Sequence, residues 1–73
     1  MELKHQKLYR VKTGFAPRKD SRSGVIPAGT ILRYDSLQSL GAYKMFWSSE
    51  AADGWNITRL LTIMELNNLT EVK

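Results

Sequence analysis

The chain contains no cysteine, and this absence excludes two common ways of stabilising a small domain. Without thiols it can form neither a disulfide nor a thiolate metal site. A chain of 73 residues has room for one domain, and such a domain buries only about 60% of the surface that its unfolded form exposes. Its stability must therefore come from the apolar core, or from a partner chain.

Residues with catalytic chemistry are also scarce. His5 is the only histidine, so one chain can form neither a histidine-based triad nor a multi-histidine metal site. No glycine-rich phosphate loop occurs. The carboxylates of Asp35, Glu50 and Asp53 lie on turn-like segments, where acidic residues normally cap backbone groups. We therefore expect a non-catalytic protein without a cofactor or a metal, although an active site built across an oligomer interface would leave no such pattern.

Long apolar runs are missing as well. No run approaches the roughly 20 residues that a membrane-spanning helix needs. The first six residues lack the apolar region of a secretory signal. We expect a cytoplasmic protein that forms one small domain over residues 1–73, in which residues 1–6 are flexible.

The pattern of apolar residues predicts a mostly β fold. From Lys7 to Phe15, alternate residues can point to opposite faces, as in a half-buried strand. The dipeptide Asp53-Gly54 predicts a hairpin turn. The further strands that we predict lie at Thr30–Asp35, Ala42–Ser48, Trp55–Leu60 and Leu69–Val72. In the second of these, Tyr43, Met45 and Trp47 share one face, and Lys44 and Phe46 share the other.

Two segments leave the prediction open. Residues 36–41 can form either a loop or one helical turn. Thr62 and Glu65 have the spacing of a capping box, which favours a short helical turn near residues 63–67. The competing interpretation is one amphipathic helix from Asn56 to Leu69.

The most informative stretch is the basic loop Ala16–Gly24, which we call the arm. We expect it to project into solvent, with Asp20-Ser21 and Ser23-Gly24 supplying its turn chemistry. The first 33 residues carry a formal net charge of +6, whereas the rest carry −2. Such asymmetry permits a basic face that attracts an acidic protein surface or nucleic acid, although solvated side chains on exposed faces explain it equally. For a protein partner, we expect the arm cations Arg18, Lys19 and Arg22 to supply the steering.

Seven aromatic residues are many for so short a chain. Some must fill the core, and others, left at a sheet surface, would form a groove for a peptide or platforms on which bases stack. We predict Tyr34, Trp47 and Trp55 as partner-binding anchors. If the ligand is instead nucleic acid, the predicted contacts are Arg10, Lys12, Arg18, Lys19, Arg22 and Arg33.

Three segments carry a family resemblance. They are Gly24–Leu32, with its Pro-Ala-Gly-Thr turn, the strand piece Tyr43–Met45, and Gly54–Thr62, with its Gly-Trp start and Leu-Thr ending. In this order they resemble the bacterial Src-homology-3-like barrel over about residues 7–62. The resemblance implies a small, five-stranded, partly open barrel. It also implies non-catalytic recognition of a peptide or protein, sometimes of cell-wall peptide.

Three functions remain open on the sequence. The first is a module, encoded by a phage or another mobile element, that binds and modulates a host protein. The second is a nucleic-acid-binding regulatory protein. The third is a structural subunit of a larger assembly, in which the open edge of the barrel or the tail after Met64 pairs with a neighbour. The sequence does not indicate the oligomeric state.

Overall fold

The computed structural model describes residues 2–20, 22 and 24–72. Five antiparallel strands form one open sheet in the order β4-β3-β2-β1-β5. In this part of the chain, no helix is long and apolar enough to cross a membrane. The bounds are β1 Leu8–Val11, β2 Ile31–Leu40, β3 Tyr43–Ser48, β4 Ile57–Thr62, a 3-10 helix Met64–Asn68, and β5 Leu69–Glu71.

This architecture confirms the predicted fold class, which is mostly β with five strands and a short helical turn. The sheet does not close, and it is compatible with an Src-homology-3-like barrel. The helical turn lies one residue later than predicted. The turn Asp53-Gly54 is also confirmed, since Ala51 and Gly54 form an isolated bridge between β3 and β4.

The alternative of one helix from Asn56 to Leu69 is wrong. All of β4 pairs with β3, from Ile57 opposite Ser48 to Thr62 opposite Tyr43. The chain leaves the sheet after Thr62, and Glu65 Oε1 accepts hydrogen bonds from Thr62 N (2.8 Å) and Thr62 Oγ1 (3.0 Å). The Glu65 side chain fixes the turn directly after the strand. The apolar residues that suggested one amphipathic helix therefore lie partly in β4 and partly in a single 3-10 turn.

Residues 36–40 form neither a loop nor a helical turn, because β2 continues through them. Its register with β3 shifts between Asp35 and Leu40. Ser39 bridges this irregularity, since its Oγ donates to Asp35 O and accepts from Met45 N, each at 2.9 Å. A polar side chain thus replaces the missing ladder bond, which the residue pattern alone did not indicate. The hairpin turns at Gly41, where φ is 55°.

The core lies on the inner face of the sheet and is centred on Phe46, which is fully buried. Its ring packs against Tyr34 at 5.5 Å between centroids and edge-on against Tyr9 at 6.3 Å. The other buried apolar residues are Val11, Ile26, Leu32, Leu61, Leu66 and Leu69. As predicted, Phe46 faces opposite to Met45 and Trp47 on the same strand.

The segment before β1 contacts this core. Leu3 packs against it, Lys4 N donates to the Tyr9 hydroxyl (2.9 Å), and Gln6 N donates to Tyr34 O (2.7 Å). Residues 2–6 therefore lie along the sheet. The flexibility expected for residues 1–6 remains a prediction.

Replacing Phe46 with alanine should remove most of the stability. Truncating a buried phenylalanine costs about 3–5 kcal/mol, which is comparable with the whole stability of a small domain. Urea denaturation followed by circular dichroism measures the free energy of unfolding. Leu37→Ala is the matched control, because Leu37 is 84% exposed and its truncation should change the free energy by less than about 0.5 kcal/mol. Equal losses in the two variants would contradict this core.

Candidate functional site

A charged side chain occupies an inward-facing position of β4. Arg59 lies opposite Phe46 on β3, on the same face as the buried Leu61, and only 3% of its surface is exposed. Burying a guanidinium strongly destabilises a fold unless carboxylates and hydrogen bonds compensate the loss of water. The packing around Arg59 is therefore defined by its partners.

Two carboxylates from different loops surround this guanidinium. Arg59 Nε and Nη2 donate to Glu50 Oε2 and Oε1 at 2.9 and 2.7 Å, which is a bidentate pair. Arg59 Nη1 donates to Asp20 Oδ2 at 2.9 Å, and the Asp20 side chain is 3% exposed. Ser48 Oγ adds a 2.6 Å hydrogen bond to Glu50 Oε2. We call Asp20, Glu50 and Arg59 the Arg59 triad.

Within the triad, the pKa values of Glu50 and Arg59 are shifted toward their charged forms. The hydrogen bonds from Arg59 hold the pKa of Glu50 below its usual value, against the opposing effect of burial, and Ser48 lowers it further. Hydrogen bonding to Glu50 raises the pKa of Arg59 despite desolvation, and Asp20 contributes in the same direction. Both groups are therefore ionised at neutral pH.

The triad fastens the arm to the sheet, because Asp20 belongs to the arm and Arg59 to β4. A second tether is the hydrogen bond from Arg18 N to Glu65 Oε2 at 2.9 Å. At the base of the arm, Phe15 and Ile26 exchange backbone hydrogen bonds of 3.1 and 2.7 Å. The arm was predicted as an excursion into solvent, and the structure shows that its middle is anchored. Ser21 and Ser23, predicted to supply turn chemistry, lie outside the described residues.

The anchored arm presents its cations outward. Arg18, Lys19 and Arg22 are exposed, and none of them forms an ion pair within residues 2–20, 22 and 24–72. Asp20, the only carboxylate of the arm, points inward to Arg59. Among the described arm residues, the exposed charges are therefore all positive, although the arm contains an acid.

The two tryptophans lie together with Arg33. On the outer face of the sheet, Trp47 is paired with Arg33, and the Arg33 guanidinium carbon lies 5.2 Å from the Trp55 ring centroid. Trp47 Nε1 donates to Asp35 Oδ2 at 3.1 Å, and this bond is the main reason that the pKa of Asp35 is lowered. Trp55 and Glu50 both lie in the connection between β3 and β4. Because Glu50 and Asp20 bind the same guanidinium, the triad places the arm beside this connection.

Tyr34 does not join this surface. It is 8% exposed and packs on Phe46 in the core. Inward alternation along β2 thus makes Tyr34 a core residue, and its role as a partner-binding anchor stays a prediction.

The remaining predicted cations lie on or beside β1. Arg10 is exposed on the outer face, between Ile31 on β2 and Thr70 on β5. Lys12 is exposed just after the strand, where its N–H donates to Asn68 O at 2.8 Å. The predicted nucleic-acid residues are thus divided between the arm and the outer face of the sheet.

A small cleft opens beside Trp47. Its volume is about 50 Å³, far below the roughly 300–1,000 Å³ of small-molecule sites. A space of this size accommodates part of one side chain. The lining residues are His5, Gln6, Arg33, Tyr34, Asp35 and Trp47.

Sequence reasoning missed the Arg59 triad. It treated Glu50 as a turn residue and Arg59 as an unremarkable member of a strand. One signal was available, since Ile57, Arg59 and Leu61 share a face in any strand assignment. An arginine between two apolar residues on the inner face requires a buried acid, but nothing local indicates that Asp20 supplies it.

Among the described residues, no group of three or more potential ligands could hold a metal ion.

Comparison of the chain with protein-family models, with curated proteins and with solved structures finds no match.

Replacing Arg59 with methionine should destabilise the fold by about 3–5 kcal/mol, because two buried carboxylates lose their counter-charge. Arg33→Met is the matched control, since Arg33 lies on the outer face, where an exposed charge contributes about 1 kcal/mol or less. Chemical denaturation at neutral pH measures both variants. A methionine at position 59 that leaves the stability unchanged would contradict the structural role of the triad.

Acid should also destabilise the fold through Glu50. The pKa of Glu50 in the folded protein lies below its usual value of 4.5, so the ionised carboxylate stabilises the fold above that pH. Its contribution is lost as the pH falls through the lower, folded value. The free energy of unfolding, measured from about pH 7 to about pH 2.5, should decline more in the natural protein than in Glu50→Gln, which starts from a lower value. Parallel curves would contradict this coupling.

Proposed function

We propose that this protein is a small non-catalytic binding module that recognises an acidic surface of another protein. The observation that carries the proposal is the contrast within the arm. Asp20 is buried against Arg59, whereas Arg18, Lys19 and Arg22 are exposed. A cationic surface of this kind steers an acidic partner and disfavours basic ones.

Anchoring the arm increases what these cations can contribute. A loop that must be ordered on binding loses conformational entropy, and this loss reduces affinity. Here the Arg59 triad and the bond from Arg18 N to Glu65 hold the arm before any partner arrives. The side chains of Arg18, Lys19 and Arg22 still lose rotamer freedom, but the backbone that bears them is already in place.

The tryptophans supply the second part of the proposed interface. Trp and Arg are the residues that most often dominate binding energy at protein interfaces. Trp47, Trp55 and Arg33 form such a group on the outer face, and the β3–β4 connection joins it to the arm. The partner in this proposal contacts the arm with carboxylates and the tryptophans with apolar groups.

The finer identity is part of the same proposal. We infer an Src-homology-3-like barrel from the strand order and from the 3-10 helix between β4 and β5. The origin in a phage or mobile element, the cytoplasmic location and the modulation of a host protein stay predictions of the sequence.

Nucleic-acid binding is the second candidate, and one observation favours it. Arg10 and Arg33 lie on the same outer face as Trp47, so two cations share that face with an aromatic ring. Backbone contacts from Lys and Arg combined with base stacking are how small barrels bind single strands.

Affinity capture from a bacterial lysate, with mass spectrometry and an assay for co-purified nucleic acid, tests the first candidate. The triple variant Arg18/Lys19/Arg22→Ala should lose a specific acidic protein that the natural chain retains. Lys4/Arg10/Lys12→Ala removes the same charge from other exposed positions and should keep that protein. Nuclease treatment of the lysate should leave the capture unchanged.

Two results would contradict the proposal. Capture that is equal in the two triple variants would remove the role of the arm. Capture that disappears with nuclease, together with binding of a labelled single-stranded oligonucleotide that weakens steeply with salt, would establish the second candidate instead.

A further inference from the structure

The two edges of the sheet differ in how they are protected. Natural edge strands normally carry charges, proline, bulges or very short lengths, which prevent pairing with other chains. The β5 edge has three residues and bears Glu71, which is paired with Lys7 at 3.4 Å. The β4 edge has six residues, without proline or glycine, and its only charge is the buried Arg59. By these criteria β4 is an unprotected edge.

The backbone of β4 has open hydrogen-bonding groups. Met45 N bonds to Ser39 Oγ on the β2 side, so Met45 and its partner Leu60 are not hydrogen-bonded to each other. By the same alternation, Thr58 and Leu60 direct their N–H and C=O groups away from β3. Thr62 has this orientation too, and its N–H is satisfied by Glu65. Within the described residues, no hydrogen bond outside the strand ladders reaches the backbone of Thr58 or Leu60.

Exposed apolar side chains gather at the end of this edge. Ile63 and Met64, directly after β4, are 57% and 80% exposed. Tyr43, opposite Thr62, is 40% exposed, and its partner Leu40 is 77% exposed. Exposed apolar groups that cluster beside an open edge indicate an interaction surface rather than scattered surface residues.

We propose that β4 pairs antiparallel with β4 of a second copy of this chain, about a twofold axis near Arg59 and Leu60. This inference is independent of the arm. Antiparallel pairing brings the end of one β4 to the start of the other, so Ile63 and Met64 of each copy meet the Trp55 end of its partner. The exposed Ile63 and Met64 of each copy are thereby covered by the start of β4 in the other copy.

Charge supports the same arrangement. Asp53 is exposed just before β4, and Lys44 pairs with Leu61 near its end. The twofold axis places Asp53 of one copy at the same end of the paired strands as Lys44 of the other copy. Glu65, at the Lys44 end, already accepts hydrogen bonds from Thr62 and Arg18. The two strands themselves bring no unpaired charge to the axis, because Arg59 is compensated within its own chain.

Sedimentation velocity from about 10 μM to about 1 mM tests the proposal. We expect a monomer–dimer equilibrium that ends at the dimer, since a twofold contact closes on itself. Thr58→Lys introduces the charge that protects natural edges, and it should raise the dimer dissociation constant about tenfold or more. Thr70→Lys makes the same change on β5 and should leave the constant unchanged. Circular dichroism and the thermal midpoint check that both variants fold.

Met64→Asp provides a second variant outside the sheet, and it should also weaken the dimer. A strict monomer over the whole concentration range would overturn the proposal and leave this edge for an extended segment of another protein. A dimer insensitive to Thr58→Lys would place the contact elsewhere, and growth beyond the dimer would show a contact that does not close. Either result would also overturn it.

Discussion

The buried guanidinium of Arg59 is the constraint on which the rest of the structure depends. A charge at an inward-facing strand position is tolerated only where carboxylates surround it. Two loops distant in sequence supply them, Asp20 from the arm and Glu50 from the β3–β4 connection. Meeting this electrostatic requirement thus fixes the position of both loops relative to β4. The apolar core around Phe46 forms the sheet, whereas the triad determines which surface the sheet presents.

The triad also divides the charges of the chain into internal and external sets. Asp20 and Glu50 form ion pairs with Arg59. Glu65 accepts a hydrogen bond from Thr62 after β4, and Asp35 accepts one from Trp47. Most described carboxylates are therefore engaged within the chain, whereas the arm cations are not. The basic character of the surface follows from this unequal pairing more than from the formal net charge of +4.

We propose two contact regions on different elements. One combines the arm with the outer-face tryptophans and has the chemistry of recognition by charge and aromatic anchors. The other is the β4 edge with its exposed apolar end, which has the chemistry of strand pairing. They meet at Trp55 but otherwise differ, since the arm contacts the inner side of β4 through Arg59, whereas the edge offers the backbone groups of Thr58 and Leu60.

Much of the strand pattern could be predicted from the sequence, because alternation and turn residues are local signals. Asp53-Gly54 marked a hairpin, and the residues from Tyr43 to Trp47 were assigned to the correct faces. The extension of β2 past Asp35 could not be predicted, since it depends on a hydrogen bond from Met45 to Ser39. A bond to a residue on another strand leaves no pattern within the segment itself.

By itself the sequence determined the fold class, the lack of cysteine chemistry and the cationic composition of the arm. Only the tertiary structure decided that Tyr34 belongs to the core, that Asp20 turns inward and that β4 has an open edge. The physical reason is that periodicity assigns a residue to a face of its own strand. Ion pairs and sheet edges depend on which distant segments meet, and Asp20 and Arg59 are separated by 39 positions.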